Sequence, residues 1–291
     1  MTPEAPDGPL KCNKVAILGV GLIGGSLGLA LRGSGFAGEV AGWDIDEAVS
    51  NAGLQRGALD AVSGNPEDAV QDADLIILAV PISATIPLLM TVVPFLTDDA
   101  VVTDVGGTKA RIVREAEAII GGRFVGGHPM AGSEVSGISA ASADLFEGAA
   151  WIITLTEETR RNNFNVVEEI VRTIKAIPRT CTPEEHDALV ASLSHLPHLL
   201  AYGLTQTVSD SVPAEWGDLA AGSFRDGTRV AKSNPKAWAE ILLDNRDSVL
   251  KALDQNITWT AKARAALESG DLSSLTQLLE QAHLARKRFP G

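Results

Sequence analysis

Four stretches hold residues whose types and spacing suit chemistry. One is Gly126-Gly127-His128-Pro129-Met130-Ala131-Gly132-Ser133-Glu134. The glycines leave backbone room around the imidazole, whose ordinary pKa of about 6.5 suits a general base meeting a substrate hydroxyl. A second is Ser194-His195-Leu196-Pro197-His198, where a separation of three residues puts His195 and His198 on one helix face. The glutamate and spacing of a zinc protease are missing and Pro197 distorts the turn, so no metal is expected there. The rings read as polar groups facing a cleft. In the third, Arg225 and Arg229 lie within the polar, glycine-bearing stretch 222–235, beside Asp226 and ahead of Trp238. Guanidinium forks bind carboxylates in bidentate fashion, so these arginines are candidates to clamp an acidic ligand. Taken singly, each feature also has a plain reading: a histidine capping a turn, or a solvated surface charge.

The fourth stretch, Gly19-Val20-Gly21-Leu22-Ile23-Gly24, directly follows an apolar run and opens a helix. In that setting Gly19 permits the tight turn, Gly21 lets backbone approach a pyrophosphate, and Gly24 lets helix and strand pack closely. Asp44 ends the next strand 20 residues beyond Gly24, where it would accept hydrogen bonds from an adenosine ribose and repel a 2′-phosphate. NAD is therefore expected over NADP. Ligands of open parallel sheets sit beyond the carboxyl ends of the strands, which adds Val80, Pro81, Asp104 and Gly106 to the expected cofactor edge. Asp46 reads as a helix cap.

These groups need a scaffold. Residues 1–13 read as a loose leader. KVAILGV, EVAGWD, DLIILAV, AVVTDV, RFVGG and AAWIITLT read as strands, alternating with helical stretches, with PEDAVQDA as a short connector. This alternation predicts an α/β, Rossmann-type doubly wound parallel sheet over 1–181. After Cys181, Thr182 is a candidate N-cap ahead of Pro183, Glu184 and Glu185, and the remainder to 291 reads as all-helical, with 222–235 as a loop.

Composition narrows the function classes. The 291 residues carry a net charge of −13, which disfavours nucleic acid and anionic membrane as partners. Cys12 and Cys181 form no paired-cysteine motif, which fits a reducing cytoplasm. The uncharged stretch from Val15 to Leu31 follows two lysines as a signal peptide would, but its glycines and soluble continuation argue against one.

In order along the chain, VAILGVGLIGGSL, TDVGGTK, FVGGHPMAGSE, SHLPH and FRDGTRVAKSNPKAW resemble the prephenate/arogenate dehydrogenase family of tyrosine biosynthesis. The resemblance spans nearly the whole chain. It implies a dinucleotide-binding half, a helical half that makes a homodimer, and an active site between them. It implies that His128 takes the proton of the ring 4-hydroxyl as hydride leaves. Ser194, His195 and His198 would line the substrate and nicotinamide side, Arg229 would grip a carboxylate, and Trp238 would pack against the site. Ser133 and Glu134 would lie near the substrate side chain. Where many relatives carry a serine that orients the catalytic histidine, this chain has Gly107 followed by Thr108, so that bond is expected from Thr108, a water or a backbone group. The leading expectation is NAD-dependent oxidation and decarboxylation of prephenate, with arogenate as the alternative substrate. A hydroxyacid or imine reductase would need a different catalytic segment, and a silent NAD-binding sensor would be expected to lose His128 or Arg229.

Overall fold

The structure, a computed structural model, describes residues 12–132 and 135–289. The expectations placed on Ser133, Glu134 and most of the leader lie outside the described residues. The first half runs β1 (Cys12–Leu18), α1 (Leu22–Ser34), β2 (Ala37–Trp43), α2 (Glu47–Gln55), β3 (Ala61–Val62), α3 (Pro66–Val70), β4 (Leu75–Leu78), α4 (Ile82–Val92), β5 (Val101–Asp104), α5 (Ala110–Ile120), β6 (Phe124–Pro129), β7 (Ala150–Thr154), α6 (Arg161–Thr173) and β8 (Ile177–Cys181). The strands form a single sheet in the order β3-β2-β1-β4-β5-β6-β7-β8. Pairing is parallel from β3 through β6, β7 runs antiparallel to β6, and β8 is parallel to β7.

The central strands are apolar on both faces because both faces are covered. Val15 and Ile17 join a core with α1 and α6, and Ala16 and Leu18 join one with α3, α4 and α5, as the two-residue repeat of a strand requires. The sheet departs from the all-parallel expectation at β7. It also holds two strands without a clear signal: β3 is two residues long, and β8 is a partly exposed edge carrying Pro178 and Arg179. The expected connector at 66–70 is the short helix α3, started by Asn65, whose side chain accepts from the Asp68 N–H.

The second half is helical: α7 (Pro183–Val190), a π turn (Ala191–His195), α8 (Leu196–Ser211), α9 (Gly222–Thr228), α10 (Pro235–Asp244), α11 (Arg246–Ser269) and α12 (Leu272–Arg286). Thr182 starts α7 with a full capping box to Glu185. The loop expected at 222–235 is instead α9 followed by a 3-10 turn over Arg229–Lys232. Packing overrides the poor helix propensity of Gly222 and Gly227. Thr228 is buried and bonds back to the Phe224 carbonyl, and the Tyr202 hydroxyl of α8 donates to the Ser233 carbonyl at 2.8 Å. No described helix is long and apolar enough to cross a membrane.

Candidate active site

The carboxyl ends of β1, β4, β5 and β6 converge on one edge, as a doubly wound sheet requires. Two cavities open there, on either side of Gly107. The first, of about 420 Å³, is walled by Gly21, Leu22 and Ile23 at the start of α1, by Val80 and Pro81 after β4, and by Gly106 and Gly107 after β5. Ala237, Glu240 and Ile241 of α10 roof it, and Glu240 accepts a hydrogen bond from Ser83 at 2.8 Å. Gly19 holds φ +97°, a conformation that favours glycine, and a Cβ on it would strike Ala79. A Cβ on Gly24 would overlap the Gly19 carbonyl, whereas one on Gly21 would meet no protein atom within 4 Å. The glycines thus divide into two that pack the turn and one that faces open space.

Asp44 lies outside the lining of this groove, against the glycine turn at its start. Its Oδ2 accepts from the Val20 N–H at 2.8 Å and its Oδ1 from the Asp46 N–H at 3.0 Å. Each oxygen keeps a further lone-pair site for a ribose hydroxyl. The next side chain, Ile45, is 91% exposed and offers an apolar surface, not a cation for a 2′-phosphate. Asp104 departs from the expectation. It is buried in an ion pair with the equally buried Lys109, and accepts from the N–H groups of Gly106 at 2.9 Å and Gly127 at 3.2 Å. Its charge is used inward, tying the loop after β5 to strand β6.

The second cavity, of about 400 Å³, gathers His128, Ser194, His195, His198, Arg229 and Trp238, with Pro129, Met130, Leu193 and Val230 as apolar wall. Pro197 has no N–H for the Leu193 carbonyl, and the helix widens into the π turn just before it. The widened turn aims Ser194 and His195 at the pocket. His198 stacks on Trp238, with centroids 3.4 Å apart and planes at 17°, and bonds through Nδ1 to the Ser194 carbonyl at 2.9 Å. Burial, and secondarily the positive charge of Arg229, lower its pKa. His195 lines the wall, but Asn245 meets its Nδ1 at 3.2 Å and the Gly107 backbone supplies a second hydrogen bond. Burial takes its pKa down to about 4. It therefore pins the Gly107 loop as well as shaping the pocket. Arg225 is not brought in: it lies exposed in the last turn of α9, outside the pocket lining.

His128 is half-buried, and burial, reinforced by the neighbouring His186 ring and the Lys109 charge, holds its pKa well below the ordinary value. It is neutral at pH 7. Thr108 does not supply its orienting bond. The Thr108 hydroxyl donates instead to Asp244 of α10, which also pairs with Arg111. The partner is His186, whose Nε2 lies 2.8 Å from His128 Nδ1, and whose own Nδ1 lies 2.8 Å from Asp187 Oδ1. Asp187 in turn accepts from the N–H groups of Lys109 at 2.8 Å and Ala110 at 2.9 Å, capping α5 across the junction between the halves. The sequence reading missed His186, Asp187 and Asn245. The only signal is a His-Asp pair just past the first turn of a well-capped helix. Among the described residues, no group of three or more His, Cys, Asp or Glu is placed to hold a metal.

The sequence and fold of this chain have known counterparts. The family profile for prephenate dehydrogenase, nucleotide-binding domain, matches residues 27–178, and that for prephenate dehydrogenase, dimerization domain, matches 182–281. Prephenate dehydrogenase of Bacillus subtilis is 34% identical over 281 residues, covering 95% of this chain and 76% of the relative. The crystal structure of prephenate dehydrogenase from Aquifex aeolicus, in complex with hydroxyphenyl propionate and NAD+, superposes with a TM-score of 0.89 at 32% identity, covering 97% of this chain and 99% of the other. Arogenate dehydrogenase of Synechocystis superposes at 0.82 with 29% identity, covering 95% and 100%.

Proposed function

The chain belongs to the prephenate dehydrogenase family, and from that premise and the site we propose that it catalyses the NAD-dependent oxidative decarboxylation of prephenate to 4-hydroxyphenylpyruvate. The observation that carries this reading is neutral His128 in one pocket with Arg229, its Nε2 turned to Gly107, which lines both cavities, and Asp44 holding the Val20 N–H beside the glycine end of the groove. The groove suits NAD: Gly21 faces open space where a pyrophosphate would lie, the start of α1 offers its amides, and Asp44 stands where ribose hydroxyls end. When bound, NAD supplies the hydride acceptor.

The residues then have defined tasks. Arg229 holds a substrate carboxylate, while Trp238, Val230 and Leu193 cover the ring. His128 accepts the proton of the ring hydroxyl as hydride leaves the carbon bearing it. The ring carboxylate departs as CO₂, and its bonding electrons complete the aromatic ring. Prephenate and NAD+ together become 4-hydroxyphenylpyruvate, CO₂ and NADH with no net proton released. His128 therefore returns the proton it took, now to the phenol oxygen. Aromatisation drives the reaction, so the protein mainly orients the hydroxyl, the C–H bond and the cofactor.

The remaining assignments follow from the same reading. Residues 1–181 form the cofactor half and 182–291 the substrate and dimerisation half. Leu250, Ile257, Trp259, Leu267, Leu272, Leu279 and Leu284 lie exposed along α11 and α12, and α12 has no buried residue, so this half needs a second surface. A second copy of the chain provides it, and the enzyme works as a cytoplasmic homodimer. Steady-state assays with prephenate and arogenate, each with NAD and NADP, test the proposal. Prephenate with NAD should give the highest kcat/KM. A higher value with arogenate would reassign the substrate, and a higher value with NADP would overturn the role of Asp44.

A further inference from the structure

We propose that His186, anchored by Asp187, is a positioning residue that fixes which ring nitrogen of His128 carries the proton and so presents the bare Nε2 to substrate. This deepens the assignment of His128 as base and rests on it.

The backbone N–H groups of Lys109 and Ala110 can only donate, and both point at the Asp187 carboxylate, at 2.8 and 2.9 Å. With His186 as third donor, these bonds outweigh burial and hold Asp187 below the usual carboxylate range, so it accepts at every contact. The proton between Asp187 Oδ1 and His186 Nδ1, 2.8 Å apart, therefore belongs to His186 Nδ1. His186 is fully buried, and burial lowers its pKa, so the ring is neutral and its Nε2 is a bare acceptor. That acceptor faces His128 Nδ1 at 2.8 Å, so the single proton of neutral His128 sits on Nδ1. Nε2 is left without a proton. It is the atom turned to Gly107, where even an added Cβ would stand 3.9 Å away, and Gly107 lines the substrate pocket.

Two amides at the start of α5 thus set the polarity of a chain that crosses two rings and ends at the reacting atom. The chain draws on α5, α7 and β6, so it forms only when the two halves are docked. It also suits the proton balance. The proton taken from the hydroxyl goes back to the phenol oxygen, so the relay needs no outlet. While His128 briefly carries two protons, its Nδ1–H bond to His186 strengthens and steadies the imidazolium.

The test compares His186→Leu and His186→Gln with wild type and with His128→Asn, alongside 15N-histidine NMR of the wild-type enzyme, which has only five histidines. Leucine removes the acceptor, while glutamine can offer its carbonyl oxygen near the place of Nε2. We expect His186→Leu to lower kcat about 10²- to 10³-fold with KM and NAD affinity within about threefold, and His186→Gln to recover most of the loss. NMR of the unmodified enzyme, which does not depend on any variant folding, should show His128 and His186 protonated at Nδ1 and bare at Nε2. A proton on His128 Nε2, an unchanged kcat in His186→Leu, or equal losses with leucine and glutamine would overturn the inference. If His128→Asn is inactive in those cases, the base assignment survives; if His128→Asn stays active, that assignment fails first.

Discussion

The groove under α10 takes its shape from glycine-bearing backbone, with Gly19, Gly21, Gly24, Gly106 and Gly107, whereas the pocket across Gly107 is walled by side chains from five separate elements: β6, the π turn, α8, the 3-10 turn and α10. A backbone-built site is specified by local conformation, so one short motif suffices. A side-chain site must be held in register from behind, and here that support is dense. Asp104, paired with Lys109, ties the loop after β5 to strand β6, Asp187 caps α5 while holding His186, Asn245 links His195 to the Asp187 carbonyl, and Asp244 takes both Thr108 and Arg111. Mutation should therefore hurt the two regions differently.

The largest expected effect lies in the pocket. His128→Asn should lower kcat about 10³- to 10⁴-fold while leaving NAD affinity nearly unchanged, as measured by steady-state kinetics and cofactor titration. Loss of NAD binding instead would show the two regions to be one unit. Next, Arg229→Ala should raise KM about 10- to 100-fold with a smaller change in kcat, because one charged carboxylate clamp is lost. An unchanged KM would take Arg229 out of the carboxylate site. In the groove, glycine chemistry should split by position. Gly21→Ala should fold with a wild-type melting temperature yet bind NAD about tenfold more weakly, because its methyl enters the space left for the ligand. Gly24→Ala should lose about 1–3 kcal/mol of stability through overlap with the Gly19 carbonyl. The smallest change is expected at Asp44. Asp44→Ser should keep NAD turnover and shift the NAD to NADP preference about tenfold toward NADP.

The same contrast explains what was legible in the sequence. The glycine loop, the apolar strands and Asp44 were readable because each rests on neighbours in the chain. His128, Ser194, His198, Arg229 and Trp238 were identifiable through motifs, and the structure does bring them into one pocket. What supports them was not readable. His186 and Asp187 lie 58 and 59 residues from His128, and nothing local marks a buried histidine as the partner of another. Asp104 reads as a cofactor residue because it ends a strand on the binding edge; the buried lysine five residues on claims its charge instead. Residues 222–235 looked like a loop because their glycines and polar groups disfavour a helix alone, and only the packing of Thr228 and Tyr202 shows why α9 forms. Strand β8 was hidden for the opposite reason, as an edge needs little apolar surface.

The measurement that bears most directly on the central claim is parallel recording of NADH and CO₂ from the purified enzyme with prephenate and NAD across pH. His128 must be neutral to accept the hydroxyl proton, and its pKa lies below the ordinary 6.5, so kcat/KM should hold steady as pH falls through 6.5 and decline only below it. NADH and CO₂ should appear in equal amounts at every pH. NADH without matching CO₂, or an acid limb at or above pH 6.5, would contradict the account.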